Sequence, residues 1–211
     1  MQDTRRKKAS NLLRCLCEAL CDREIVIKYC MLIVLSVLLQ SCIVLKEEYF
    51  FPSSDGGRVI KESCRGKVGV DNQLVFEFEN VTVTFDAWEY KSITRLGIGI
   101  DIYEGGEVVW PSSNIKVNIV SGEKDLVIDN FRNLRRTGDE IVSKEYLVNT
   151  SMKNTWERET EGFYSTLVVS DESLKEINVA EIKIIVNGSE ITIPFINFKK
   201  QSGMFLHPLN C

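Results

Sequence analysis

Apolar side chains recur at every second position from residue 74 onward. No other feature constrains this 211-residue chain so tightly. Leu74, Phe76 and Phe78 alternate with Val75, Glu77 and Glu79, and Val81, Val83 and Phe85 alternate with Thr82, Thr84 and Asp86. Successive side chains of a strand point to opposite faces, so a period of two predicts strands with one apolar and one wet face. Ile98, Ile100 and Ile102 continue the pattern, followed by Ile115, Val117 and Ile119, then Leu126–Ile128, Ile141–Val148 and Phe163–Val169.

Turn residues divide these runs. Glu79-Asn80 is expected to connect two strands, and Glu104-Gly105-Gly106-Glu107 to fold one strand back toward Val108-Val109-Trp110. Asn187-Gly188 between Ile182–Val186 and Ile191–Ile193 is the strongest hairpin signal, because both residues tolerate the positive φ of a type I′ turn. Pro194 belongs at a strand edge or bulge. Phe195, Ile196 and Phe198 are expected to close the sheet before a turn at Gly203. Residues 130–160 are the least regular. There Phe131–Arg136 reads as a loop or one helical turn; beyond Phe163–Val169, Asp171–Glu176 reads as a short helix capped by Ser170. Short strands, frequent turns and no long amphipathic helix predict an all-β, single-domain antiparallel β-sandwich, immunoglobulin-like or related. No fixed-period repeat points to a solenoid or propeller.

Signals for catalysis are weak. His207 is the sole histidine, and no Gly-x-Ser-x-Gly elbow accompanies it, so it reads as a structural or surface residue. Gly97-Ile98-Gly99 lies inside a strand pattern and lacks the third glycine of a dinucleotide loop, so a bulge or packing role is expected. Asp125, Asp129, Asp139 and Glu140 do not have EF-hand spacing and read as a solvated acidic edge. A carboxylate pair for glycoside cleavage meets only in three dimensions, and none stands out. No catalytic residue, metal or cofactor is expected. Candidate ligand contacts are Trp88, Trp110 and Trp156, as stacking platforms for sugar, and the basic group Arg132, Arg135 and Arg136, with Lys144 beyond, for an anionic partner. Against these stand core or rim packing for the tryptophans and a solvated loop for the arginines.

Near the N-terminus, Met31–Leu39 forms an apolar run that leads into Gln40-Ser41-Cys42. It is too short for a bilayer span and suits a signal peptide's hydrophobic region. An uncleaved anchor is the rival reading. Leu39 stands three positions before Cys42 and the small Ser41 directly before it. The combination resembles the signal peptide and lipobox of bacterial lipoproteins. The resemblance implies cleavage before Cys42, a palmitate-bearing diacylglyceryl group on its thiol, and a lipid-anchored place in the cell envelope. Ile43, rather than an aspartate, follows Cys42, which resembles outer-membrane sorting toward the periplasm. The Cys64 segment and Pro208-Leu209-Asn210-Cys211 are similar to small proteobacterial envelope lipoproteins, which implies no activity.

Residues 1–30 are too long and too mixed in charge for a signal n-region. They are expected to be a non-native extension, with translation starting at Val26. Cys15, Cys17 and Cys21 lack the paired order of a zinc site. The expected organisation is a signal peptide over 26–41, a lipid-anchored segment over 42–63 that partly docks on the domain, and a β-sandwich over 64–211. The chain from Cys42 carries 19 basic and 26 acidic residues, a net of −7. General electrostatics therefore disfavours nucleic acid as a partner and leaves membrane attachment to acyl chains. With Cys42 acylated, Cys64 and Cys211 are the remaining thiols. An oxidising periplasm favours a bridge between them, and two free buried cysteines are the alternative. The expected function is a non-catalytic envelope protein with a structural or interaction role, or else a periplasmic module that binds glycan.

Overall fold

The structure, a computed structural model, describes residues 27–28, 31, 43–61, 70–137, 140–155 and 160–207. It divides into two compact units, Met1–Val44 with Leu206–Asn210, and Leu45–Phe205 with Cys211. Of the first unit's leader only Ile27, Lys28 and Met31 are described; they are helical and exposed. Everything below concerns the second unit and its strands.

The expected fold class is the one observed: antiparallel β-structure throughout, without a closed barrel. A seven-stranded sheet runs β10 (Glu140–Leu147), β9 (Asn130–Thr137), β12 (Thr160–Ser170), β5 (Ile93–Tyr103), β4 (Val81–Tyr90), β3 (Gln73–Phe78) and β2 (Arg58–Ile60). A five-stranded sheet runs β1 (Ile43–Ser54), β16 (Ile196–His207), β13 (Glu176–Val179), β7 (Asn114–Ile119) and β8 (Gly122–Val127). A four-stranded sheet orders β11 (Ser151–Lys153), β6 (Glu107–Val109), β14 (Ile182–Val186) and β15 (Ser189–Ile193).

The alternation decides which face is buried. Val81, Val83, Phe85 and Ala87 of β4 face inward, as do Leu96, Ile98, Ile100 and Ile102 of β5. They join residues from the other two sheets, including Phe50, Val117, Ile177, Ile184 and Phe198, in one core. Burying a side chain of this size contributes about 1.5–3 kcal/mol, so the inner rows of the three sheets hold the sandwich closed. Aromatic rings lock it at three points: Phe76 on Phe85, Trp110 on Phe131, and Tyr146 on Phe163, with ring centroids 6.0, 5.3 and 5.0 Å apart.

Asn187 and Gly188 form the expected tight hairpin, with Val186 opposite Ser189 and φ of 51° and 81°. The Asn187 amide also donates to the carbonyl of Glu79 at 2.8 Å, and its oxygen accepts from the Glu107 amide at 2.9 Å. One turn therefore pins the β3–β4 hairpin and β6.

Four local expectations are corrected. Phe131–Arg136 is neither loop nor helical turn; it lies in β9, paired with β10 along its whole length. Phe131 and Asn133 face inward between the exposed Arg132 and Leu134, and the arginines had hidden that period. Asp171–Glu176 forms no helix. The Ser170 hydroxyl accepts from the Glu172 amide, and buried Thr94 bonds the Glu172 carbonyl and the Leu174 amide. That satisfies the backbone without a helical turn before β13 begins at Glu176. Glu104–Glu107 does not return the chain to β5; β6 crosses to pair with β14 and β11. Finally, β16 continues through Gly203 to His207.

The strands also begin earlier than residue 64. Phe50 and Pro52 of β1 are buried, so the segment after Cys42 is part of the sheet rather than a tether.

Candidate functional site

The outer face of the seven-stranded sheet carries an open groove of about 720 Å³. Its floor follows from three glycines. In register, Gly97 faces Asp86 and Thr166, Gly99 faces Thr84 and Tyr164, and Gly162 faces Asp101. All three occupy outward positions where other strands carry side chains, so the middle of the face is bare. Glycine inside a strand weakens it and often marks close approach by a ligand or another backbone.

Each glycine has its own role. A Cβ on Gly97 would overlap Asp86 Oδ1 and lie 2.7 Å from the Trp88 ring, so this glycine lets both side chains fold down onto the sheet. A Cβ on Gly162 would lie 3.1 Å from Asp101 Oδ1, so the Asp101 carboxyl leans over β12. Above Gly99 nothing comes closer than Thr84 Cβ at 3.7 Å, leaving the open centre. Half-buried Trp88 closes one end of the groove. Tyr164 and Leu134 stand on the β12 and β9 side, and Asp101 and Tyr103 at the other end. Arg58 and Glu77 form an ion pair on the β2–β3 side.

The carboxylates of this groove diverge. Asp86 lies opposite Gly97, four residues from Asp101, or about 13 Å along β5. Glu77 and Asp101 flank Thr82 from neighbouring strands, but Glu77 turns toward Arg58 and Asp101 toward Gly162. Asp101 is open to solvent on one side, yet the concave sheet removes much of its water. That desolvation pushes its pKa above the ordinary 3.8. No hydrogen bond or ion pair from a described residue reaches it.

The residues singled out from sequence separate. Trp88 lines the groove. Trp110 does not: it is 1% exposed and packs on Phe131, because its position after β6 puts the ring in the core. Trp156 lies outside the described residues. Arg132 is exposed on the same face, opposite Tyr164, and pairs with Glu145 at 3.4 Å. The backbones of Arg135 and Arg136 pair with Val142 and Ile141; their side chains lie outside the described set. Cys42, Cys64 and Cys211 lie outside it too, so the lipidation and the bridge rest on sequence alone. Among the described residues, no three His, Cys, Asp or Glu side chains gather to hold a metal, and no helix is long and apolar enough to cross a membrane.

Tyr103, Tyr164 and Asp101 were not singled out from sequence. Their only signal was the Gly97-x-Gly99 spacing, two bare positions on one strand face. A scan against protein-family models, curated proteins and solved structures finds no match.

Proposed function

We propose that this protein is a lipid-anchored, non-catalytic module of the bacterial cell envelope that binds glycan in the groove over Gly99. One observation carries the ligand: a bare strand floor flanked by the rings of Trp88, Tyr103 and Tyr164, with carboxylates at hand. Pyranose rings present flat C–H faces and a rim of hydroxyls. Aromatic faces suit the former and carboxylate acceptors the latter. Ligand sites are typically concave, with apolar walls and a few placed polar groups, and this groove has that make-up. The diverging carboxylates favour binding over hydrolysis. The envelope location rests on the Leu39–Cys42 motif and the apolar run before it.

Gly99→Val tests the site. There is room for the Cβ above Gly99, and valine favours a strand, so the variant should fold at least as well as the parent. Its side chain should occupy the open centre and lower glycan affinity at least ten-fold on an envelope-polysaccharide array. A variant that folds and binds as the parent does would refute the groove.

A further inference from the structure

The charges of the groove do not balance. Among the described side chains, its lining carries the carboxylates of Glu77, Asp86 and Asp101 against one guanidinium, Arg58. Arg58 is committed to Glu77. Asp86 has an interaction of its own within the protein. Asp101 has none, although Gly162 gives it room to lean into the groove. The two other described arginines on this face do not line the groove: Arg95 lies over the Tyr90 ring, 6.0 Å from its centroid, and Arg132 pairs with Glu145.

Rings stand on two sides of the unmatched charge. Tyr103 lies two residues along the same strand, on the same face. Tyr164 faces Gly99, one step diagonally from Asp101 across the β5–β12 ladder, and long side chains interact at that spacing. A carboxylate between aromatic rings is a site for an ammonium group: the carboxylate supplies a counter-charge and the ring faces add cation–π attraction. The same surplus of negative charge disfavours phosphorylated and uronic-acid glycans.

Resting on the glycan reading above, we infer that the groove selects a glycan with free amino groups and seats a protonated sugar amine on Asp101 between Tyr103 and Tyr164. The preferred ligand class is thus an N-deacetylated amino-sugar chain rather than its N-acetylated counterpart. Acetylation removes the charge and leaves one neutral amide N–H in place of three ammonium donors.

Titration calorimetry on the detergent-solubilised full-length protein, with a glucosamine hexamer and the matching N-acetylglucosamine hexamer, tests this. We expect the free amine to bind at least ten-fold more tightly at pH 6.5 and moderate salt. Asp101→Asn should reduce that preference to less than two-fold, and Gly99→Val should weaken the glucosamine hexamer. Equal affinities for the two hexamers would overturn the amine assignment and leave the glycan reading standing. A preference that survives Asp101→Asn would overturn the role of Asp101. Binding of neither hexamer would overturn the inference, whereas the polysaccharide array decides the glycan reading independently.

Discussion

Ionising Asp101 costs more in the folded chain than in the unfolded one, because the sheet face displaces its water and no cation repays the loss. The folded chain therefore holds this proton to higher pH than the unfolded chain does. Stability falls as pH rises from the ordinary 3.8 through the raised folded value, and the deficit persists above it. Below 3.8 both states are protonated and the deficit vanishes. Asp101→Asn should thus raise the melting temperature at pH 7 by about 1–2 °C and leave it unchanged near pH 3. Melts of parent and variant at the two pH values check this. A variant less stable at pH 7 would show that Asp101 has a counter-charge within the fold. A residue that costs stability and yet sits in the open groove fits a binding role better than a structural one. Gly99 belongs to the same class, since a strand residue with a side chain would strengthen β5.

At the scale of elements, Lys200 ties two sheets together. It rises from β16, 16% exposed, and its ammonium meets Glu89 at the end of β4 at 2.6 Å and Glu48 on β1 at 3.2 Å. It also donates to the Ser173 hydroxyl at 2.8 Å, which in turn donates to Glu89 at 2.7 Å. The hydrogen bond from Lys200, then that from Ser173, hold the Glu89 pKa below the ordinary 4.5. For Lys200 burial is the strongest influence and opposes its charge, but the bonds to Glu89 and Glu48 together outweigh it and leave the pKa raised. The contribution of Glu89 is therefore present above 4.5 and lost as pH falls through its lowered folded value, whereas that of Lys200 is lost only as pH climbs through a value above 10.5. Lys200→Met should lower stability at pH 7 by about 1 kcal/mol, or about 2–4 °C. Thermal melts from pH 7 to 3 should show the gap shrinking below pH 4.5; a constant gap would mean that lost packing, not charge, is responsible.

Such links also mark the limit of what the sequence reveals. Alternation exposed β3, β4, β5 and β12, because each buries one apolar row. It missed β9, whose inward Asn133 and flanking arginines break the hydrophobic signal, and β13, where Ile177 and Val179 are too few to stand out. The groove was less legible still. Alternation places a residue on a face but does not say which strand lies beside it. Only the register brings Tyr164 next to Gly99 and Asp101 next to Gly162.

For the whole molecule, the question is how the domain is held in place. Among the described residues, the buried core runs from Phe50 to Phe198. The chain from Cys42 is acidic by seven charges and would be repelled by an anionic leaflet. A thioether-linked diacylglyceryl group with an amide-linked chain would override that repulsion, because each buried methylene contributes about 0.8 kcal/mol and two or more chains give a stable anchor. The described domain begins at Leu45, three residues beyond Cys42, a reach of at most about 10 Å. A protein lipidated at Cys42 would therefore carry its sheets close to the headgroups, within reach of surface glycan but without a long tether. Cys42→Ala should abolish incorporation of labelled palmitate and move the protein from the membrane to the soluble fraction. Because no described core residue is changed, its melting temperature should match that of the detergent-solubilised parent within about 1 °C. Neutralising Arg132, Arg135 and Arg136 together should leave membrane fractionation unchanged, since on the proposed lipoprotein reading acyl chains and not these charges would supply the attachment. Persistent palmitate labelling in Cys42→Ala would remove the anchor from this account, and release of the arginine variant would transfer the role to β9.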